Sequence, residues 1–139
     1  MPSVATFEVL ATHIHGAGKQ FVLAAVYQPG SKSVTTQFIS DLADIIERLV
    51  VYAAPLVIVG DFNVHLDDIQ SAITVGVNKV LSDFDLLQLV TDPTHCHGHT
   101  LDVFIVSNNI TATVNIKSPI FSDHSLITAQ LDRTAESTK

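Results

Sequence analysis

Three aspartates in this chain stand where predicted strands begin or end: Asp61, Asp102 and Asp123. Asp61 follows the apolar run Leu56-Val57-Ile58-Val59-Gly60, Asp102 follows Thr100-Leu101, and Asp123 sits in Ser122-Asp123-His124-Ser125. Taken singly, each is an ordinary loop aspartate of the kind that closes turns with its own side chain. Together with Asn63 and His124 they supply the parts for metal-assisted phosphodiester hydrolysis. That reaction needs a base to position water, a cation for the phosphoryl oxygens, and donors for the charge that grows in the transition state. The stretch Asp61-Phe62-Asn63 admits two readings. On an extended chain alternate side chains share a face, so the carboxylate and the carboxamide point together beyond the strand end, where open α/β sheets place their chemistry. The other is a strand that closes in an Asx-type turn.

Such residues need a frame. Leu56–Val59 reads as a buried central strand, because its apolar residues run consecutively. Before it, two β-rich runs, 4–14 and 21–27, flank the glycines Gly16 and Gly18 and predict a hairpin. Phe38, Leu42, Ile45, Ile46 and Leu49 recur at helical spacing over 37–52, with Asp41, Asp44, Glu47 and Arg48 off that stripe. Ser33 and Thr35 are its candidate N-caps, and Pro55 marks its end. The stretch 64–74 reads as irregular, 76–84 as a shorter helix, and 86–90 as a brief apolar segment. Strands are expected at 100–106, 112–116 and 125–131. Residues 1–131 make one domain and 132–139 a polar tail. Both helices ask for one side of a single sheet, yet Val57-Ile58-Val59 and Val103-Phe104-Ile105-Val106 are apolar on both faces. Sheets that read so are normally covered twice. The expectation is a partial α/β sandwich whose second face lacks a cover.

Composition narrows the partners. The 139 residues are 47% hydrophobic and 15% charged, with mean hydropathy +0.37. Soluble domains carry roughly 25% charged residues, so the chain either buries itself deeply or hides an apolar face against something else. No apolar run has the length of a membrane span, and Met1-Pro2-Ser3 lacks the basic-then-apolar form of a signal peptide. The net charge of −7 argues against gripping nucleic acid by charge alone. Carboxylates that hold a divalent cation reverse that local field. The single cysteine, Cys96, forbids an internal disulfide and suits an intracellular, reducing setting, nuclear or cytoplasmic.

Read in order, Gly60-Asp61-Phe62-Asn63, Pro93-Thr94-His95, Gly98-His99-Thr100-Leu101-Asp102 and Ser122-Asp123-His124-Ser125 resemble the endonuclease/exonuclease/phosphatase superfamily. The likeness is nearest to the apurinic-type endonuclease domain of LINE-type non-LTR retrotransposons. Tyr27-Gln28-Pro29 and Val64-His65-Leu66-Asp67-Asp68 extend it, so that it runs from about Tyr27 to Leu131. The resemblance implies a four-layer αββα nuclease fold, of which this chain holds about the C-terminal half to two thirds. It implies that Asp61 orients or deprotonates the attacking water and that Asn63 stabilises the pentacovalent phosphate. His124 would donate to a non-bridging oxygen with Asp102 behind it. Asp123, with Asp61, would hold Mg²⁺ or Mn²⁺, and Tyr27 would touch the scissile phosphate from the side. His65 is a candidate phosphate neighbour.

Two departures qualify what the likeness implies. The early asparagine and metal-ligand glutamate of the family have no counterpart, and Glu8 stands in no matching motif; Gly30 occupies a place where some branches carry asparagine. The expected function is therefore a retrotransposon-derived, divalent-metal-dependent DNA endonuclease domain, weak or inactive alone. The rivals are a non-catalytic module that pairs with a second copy through the uncovered face, and a phosphatase- or sphingomyelinase-like phosphoesterase. The cluster His95-Cys96-His97-x-His99 invites zinc, but structural zinc sites draw on two separated ligand pairs and no second pair is evident.

Overall fold

The computed structural model describes residues 7–16, 19–29, 36–52, 54–91, 93–94, 98–117 and 126–133. Strands β1 (Glu8–Gly16) and β2 (Lys19–Tyr27) form the expected antiparallel hairpin. Helix α1 (Thr36–Val50) crosses to β3 (Leu56–Asp61), which lies parallel to β2. Helix α2 (Ala72–Asp83) leads to β4 (Leu86–Gln88), then β5 (Asp102–Ser107), β6 (Ile110–Lys117) and β7 (Leu126–Arg133). The first five strands make one sheet in the order β1-β2-β3-β5-β4, while β6 and β7 pair separately. The candidate N-caps Ser33 and Thr35 lie outside the described residues.

Alternation along the strands makes two distinct faces. Val22, Ala24 and Val26 of β2, Leu56 and Ile58 of β3, and Val103 and Ile105 of β5 pack on one side with Phe38, Leu42, Ile45, Ile46 and Leu49 of α1. Val77, Val80 and Leu81 of α2 join the same cluster, so both helices do share one layer. Phe38 is fully buried and meets Phe7 and Phe62 edge-on, with ring centroids 5.5 Å apart in each pair. Each such side chain taken out of water contributes about 1.5–3 kcal/mol.

The other face holds Phe21, Leu23, Val57, Val59, Phe104 and Val106. It is not bare throughout, as the sequence led one to expect. Ile110, Ala112 and Leu131 of the β6–β7 hairpin fold against Val57 and Val106 and bury them. Leu23, Val59 and Phe104 stay half-buried.

Three local readings change. α2 begins at Ala72, so Thr74, expected in an irregular stretch, is a buried helical residue whose hydroxyl donates to the His65 carbonyl, 3.0 Å. Segment 86–90, assigned no strand from the sequence, supplies the edge strand β4. Asp41, expected on the solvent side of α1, is buried and accepts a hydrogen bond from the Gln37 amide one turn earlier, 2.9 Å. That bond, part-buried, offsets much of the cost of burying the carboxylate.

At Gly60 the β2 backbone leaves β3 no room for a side chain. A Cβ there would stand 1.9 Å from the Val26 carbonyl oxygen, and its φ of +139° is one that only glycine adopts readily. The residue just beyond it is Asp61.

Candidate active site

Strand register assembles the site. In the β2–β3 pairing Tyr27 stands opposite Asp61, and in the β3–β5 pairing Asp61 stands opposite Asp102. Neighbouring strands lie about 4.8 Å apart, so the three residues form one row roughly 10 Å long across the sheet end. Alternation from Leu23, Val59 and Phe104 puts all three on the open face, not the helix face. The β1–β2 register adds Glu8 opposite Tyr27, in line with the row. Nothing in the sequence motifs signals Glu8; only the hairpin register does.

Asp61 and Asp102 face each other directly, and like charges in that position repel. A divalent cation bound beside Asp61 would offset that repulsion. Hard oxygen donors of this kind suit Mg²⁺ or Mn²⁺, which Mg²⁺ sites typically combine with substrate phosphate and water. On donor chemistry Asp61 fits such an ion. No cluster of three or more metal-ligating side chains forms among the described residues. Asp123 and His124, assigned to metal and phosphate, lie outside the described residues, as do His95, Cys96 and His97.

Beyond Asp61 the chain turns. Asn63 has a φ of 48°, and its N–H donates to Asp61 Oδ1 at 2.9 Å. This is the Asx turn, so the extended-chain argument for a shared face ends at Asp61. The Asn63 carboxamide is aimed differently, by an N–H bond from Nδ2 to the Gln28 carbonyl. Gln28 in turn donates its own N–H to the Asp61 carbonyl, 2.9 Å. The two site residues are thus tied to the residue after Tyr27, and one carboxamide N–H is committed to that tie. Tyr27 is 48% exposed and reaches solvent beside them.

The loop after Asn63 is fastened to the loop before Asp102. The exposed His65 ring stacks on His99, centroids 3.9 Å apart and planes 5° from parallel. His99 Nδ1 lies 3.1 Å from Asp67 Oδ2, and the Thr100 N–H donates to Asp67 Oδ1 at 2.9 Å. Desolvation raises the Asp67 carboxyl, but hydrogen bonds from Thr100, from His99 and from its own backbone, with the charge interaction with His99, leave it below the ordinary carboxylate value. Asp67 and Thr94 were visible in the sequence only as members of motifs, with no role attached. His65 contacts His99 and stands on the loop two residues past Asn63; His99, read only as one of a histidine cluster, is its structural partner.

Comparison with known proteins now bears on this geometry. A family profile described as "Endonuclease-reverse transcriptase" matches residues 21–128, a span that contains every residue of the row except Glu8. The endonuclease domain of TRAS1, a telomere-specific non-LTR retrotransposon, superposes with a TM-score of 0.67 at 15% identity, covering 93% of this chain and 64% of that one. The catalytic domain of human nocturnin, solved with bound sulfate, gives 0.64 at 22% identity, covering 92% and 53%. A mannosyl-6-phosphatase of Bacteroides thetaiotaomicron gives 0.61 at 14% identity, covering 84% and 52%. At these identities the superpositions speak for the fold, and the chain spans about half to just under two thirds of the length of each structure. No curated protein sequence matches it.

Proposed function

Because this chain belongs to the endonuclease–reverse transcriptase family of the endonuclease/exonuclease/phosphatase superfamily, we propose that its open sheet end carries out divalent-metal-dependent hydrolysis of DNA phosphodiesters. The reading rests on the row of Tyr27, Asp61 and Asp102, three residues of the right chemistry brought level by strand register alone. Asp61 orients the attacking water. Asn63, steadied on Gln28, offers its carboxamide to the phosphoryl oxygens. Tyr27 approaches the phosphate from the flank, and His65 lies ready for a neighbouring phosphate. Asp102 orients His124, which donates to a non-bridging oxygen. Asp61 and Asp123 would hold Mg²⁺ or Mn²⁺, which when bound neutralises phosphoryl charge.

DNA affinity is low, since the chain carries −7 and must rely on bound cation for attraction. The direct test is nicking of supercoiled plasmid with Mg²⁺ or Mn²⁺, beside Asp61→Asn and Asp102→Asn. Metal-dependent nicking that falls by at least about 100-fold in either variant is the expected result. Nicking that both variants leave intact overturns the assignment, as does hydrolysis of phosphomonoesters in preference to DNA, which points to the phosphatase branch.

A second reading draws on the half-buried Leu23, Val59 and Phe104: that this face binds a second copy of the chain. Sedimentation equilibrium decides it, a monomer at tens of micromolar ruling it out.

A further inference from the structure

Three consecutive backbone N–H groups lead into Asp102, and a side-chain oxygen takes each of them. Thr100 N–H donates to Asp67 Oδ1 at 2.9 Å; Leu101 N–H and Asp102 N–H both donate to Thr94 Oγ1, at 3.0 and 3.2 Å. Thr94 is completely buried, and its own N–H donates to the His99 carbonyl at 3.0 Å, so it closes the loop on itself. The carbonyls of the same segment point the other way. Thr100 O accepts from Leu66 N–H at 3.0 Å, and Leu101 O accepts from Phe62 N–H at 2.9 Å. The peptide between Leu101 and Asp102 is therefore held by Thr94 on one edge, and the Leu101 carbonyl binds the residue after Asp61 on the other.

We infer that Thr94, with Asp67 as its outer support, is a positioning residue for Asp102: it fixes where that carboxylate begins its strand and so its alignment with Asp61. The purpose of the alignment rests on the phosphodiesterase reading; the clamp itself does not. The geometry has a physical reason to exist. Asp61 and Asp102 repel across the β3–β5 pair, and a strand start carrying such a residue tends to fray. One buried hydroxyl that satisfies two successive N–H groups opposes the fraying without placing another charge in the site. Serine keeps that acceptor, and valine keeps the shape without it.

The test uses the full chain and two readouts. Amide hydrogen exchange of Thr94→Val is expected to accelerate at Leu101 and Asp102 by at least about tenfold, while the amides of α1 keep their wild-type rates and Thr94→Ser matches wild type. Asp67→Ala opens only Thr100. In cleavage assays Thr94→Val lowers kcat by roughly 100-fold with KM little changed, the signature of a displaced reacting group, and serine restores it. Exchange that rises uniformly along the chain, or serine behaving as valine, overturns the inference. If valine does not fold, the wild type decides: Leu101 and Asp102 amides exchanging as fast as Asn108 in its exposed turn overturn it, and slow exchange there that Thr94→Ser preserves supports it. Absence of cleavage by every form, wild type included, refutes the catalytic reading and leaves the exchange result to judge the clamp.

Discussion

The two faces of the five-stranded sheet are built from alternate residues of the same strands, and they have opposite fates. The helix face is sealed by α1 and α2, and its members Ala24, Phe38, Ile46, Ile58 and Ile105 have lost all or nearly all contact with solvent. Among the described residues the open face is finished only where the β6–β7 hairpin reaches it, and its end carries Glu8, Tyr27, Asp61 and Asp102. Stability and candidate chemistry are thus divided between the two sides of one layer. A side chain's effect on folding is set by which side it faces, and the joint between the sides is a glycine.

That joint is the point of greatest leverage. Gly60→Ala drives a methyl group into the Val26 carbonyl, which is backbone and cannot swing away, at a φ that alanine resists. The β2–β3 pairing must open to admit it, at a cost of roughly 4 kcal/mol or more. Urea denaturation is expected to show a protein unfolded or close to it. A variant with near-wild-type stability means that β2 and β3 do not approach so closely in solution.

The faces themselves are contrasted by a matched pair of phenylalanines. Phe38→Ala empties a sealed site ringed by Phe7 and Phe62 and is expected to cost about 3–5 kcal/mol. Phe104→Ala, on the open face and half-buried, removes less apolar burial and is expected to cost about 1 kcal/mol. Measured at two protein concentrations, the second value also speaks to self-association. A Phe104 penalty that grows with concentration shows that another copy covers the face.

Much of this division was legible beforehand. The 3.6-residue period of Phe38, Leu42, Ile45, Ile46 and Leu49 predicts the helix layer, and the uninterrupted apolar runs of β3 and β5 predict two buried faces. What periodicity cannot supply is register. That Tyr27, Asp61 and Asp102 stand level depends on which residues pair across strands, and Glu8 joins them only because the β1–β2 hairpin aligns as it does. The sequence also left open whether Asp61 ends a straight strand or an Asx turn, since short polar side chains serve both. The hairpin cover escaped notice because the alternation of β6, with Ile110, Ala112, Val114 and Ile116 on one face, announces an apolar face without saying which sheet it packs against. Thr94 is harder still: a lone threonine beside proline carries no sign of the two N–H groups it will accept.

The smallest effect concerns the latch beside the row. The Asp67 carboxyl is held below its ordinary 3.8: desolvation raises it, and bonds from Thr100, His99 and its own backbone, with the charge interaction with His99, lower it further than that. A carboxyl whose folded value is depressed contributes stability above its unfolded value and loses that contribution as pH falls through the folded one. Asp67→Asn keeps an acceptor for the Thr100 N–H and removes the charge facing His99. Wild type is therefore expected to be the more stable of the two at pH 5, and the difference to close as pH falls below 3.8. More than a third of the Asp67 side chain is exposed, so solvent screening limits the gap to about 0.2–1 kcal/mol. Thermal melts of both proteins across that range measure it. Curves that stay parallel to the lowest pH mean that the carboxylate is not gripped in solution, and the latch then reduces to the stack of His65 on His99.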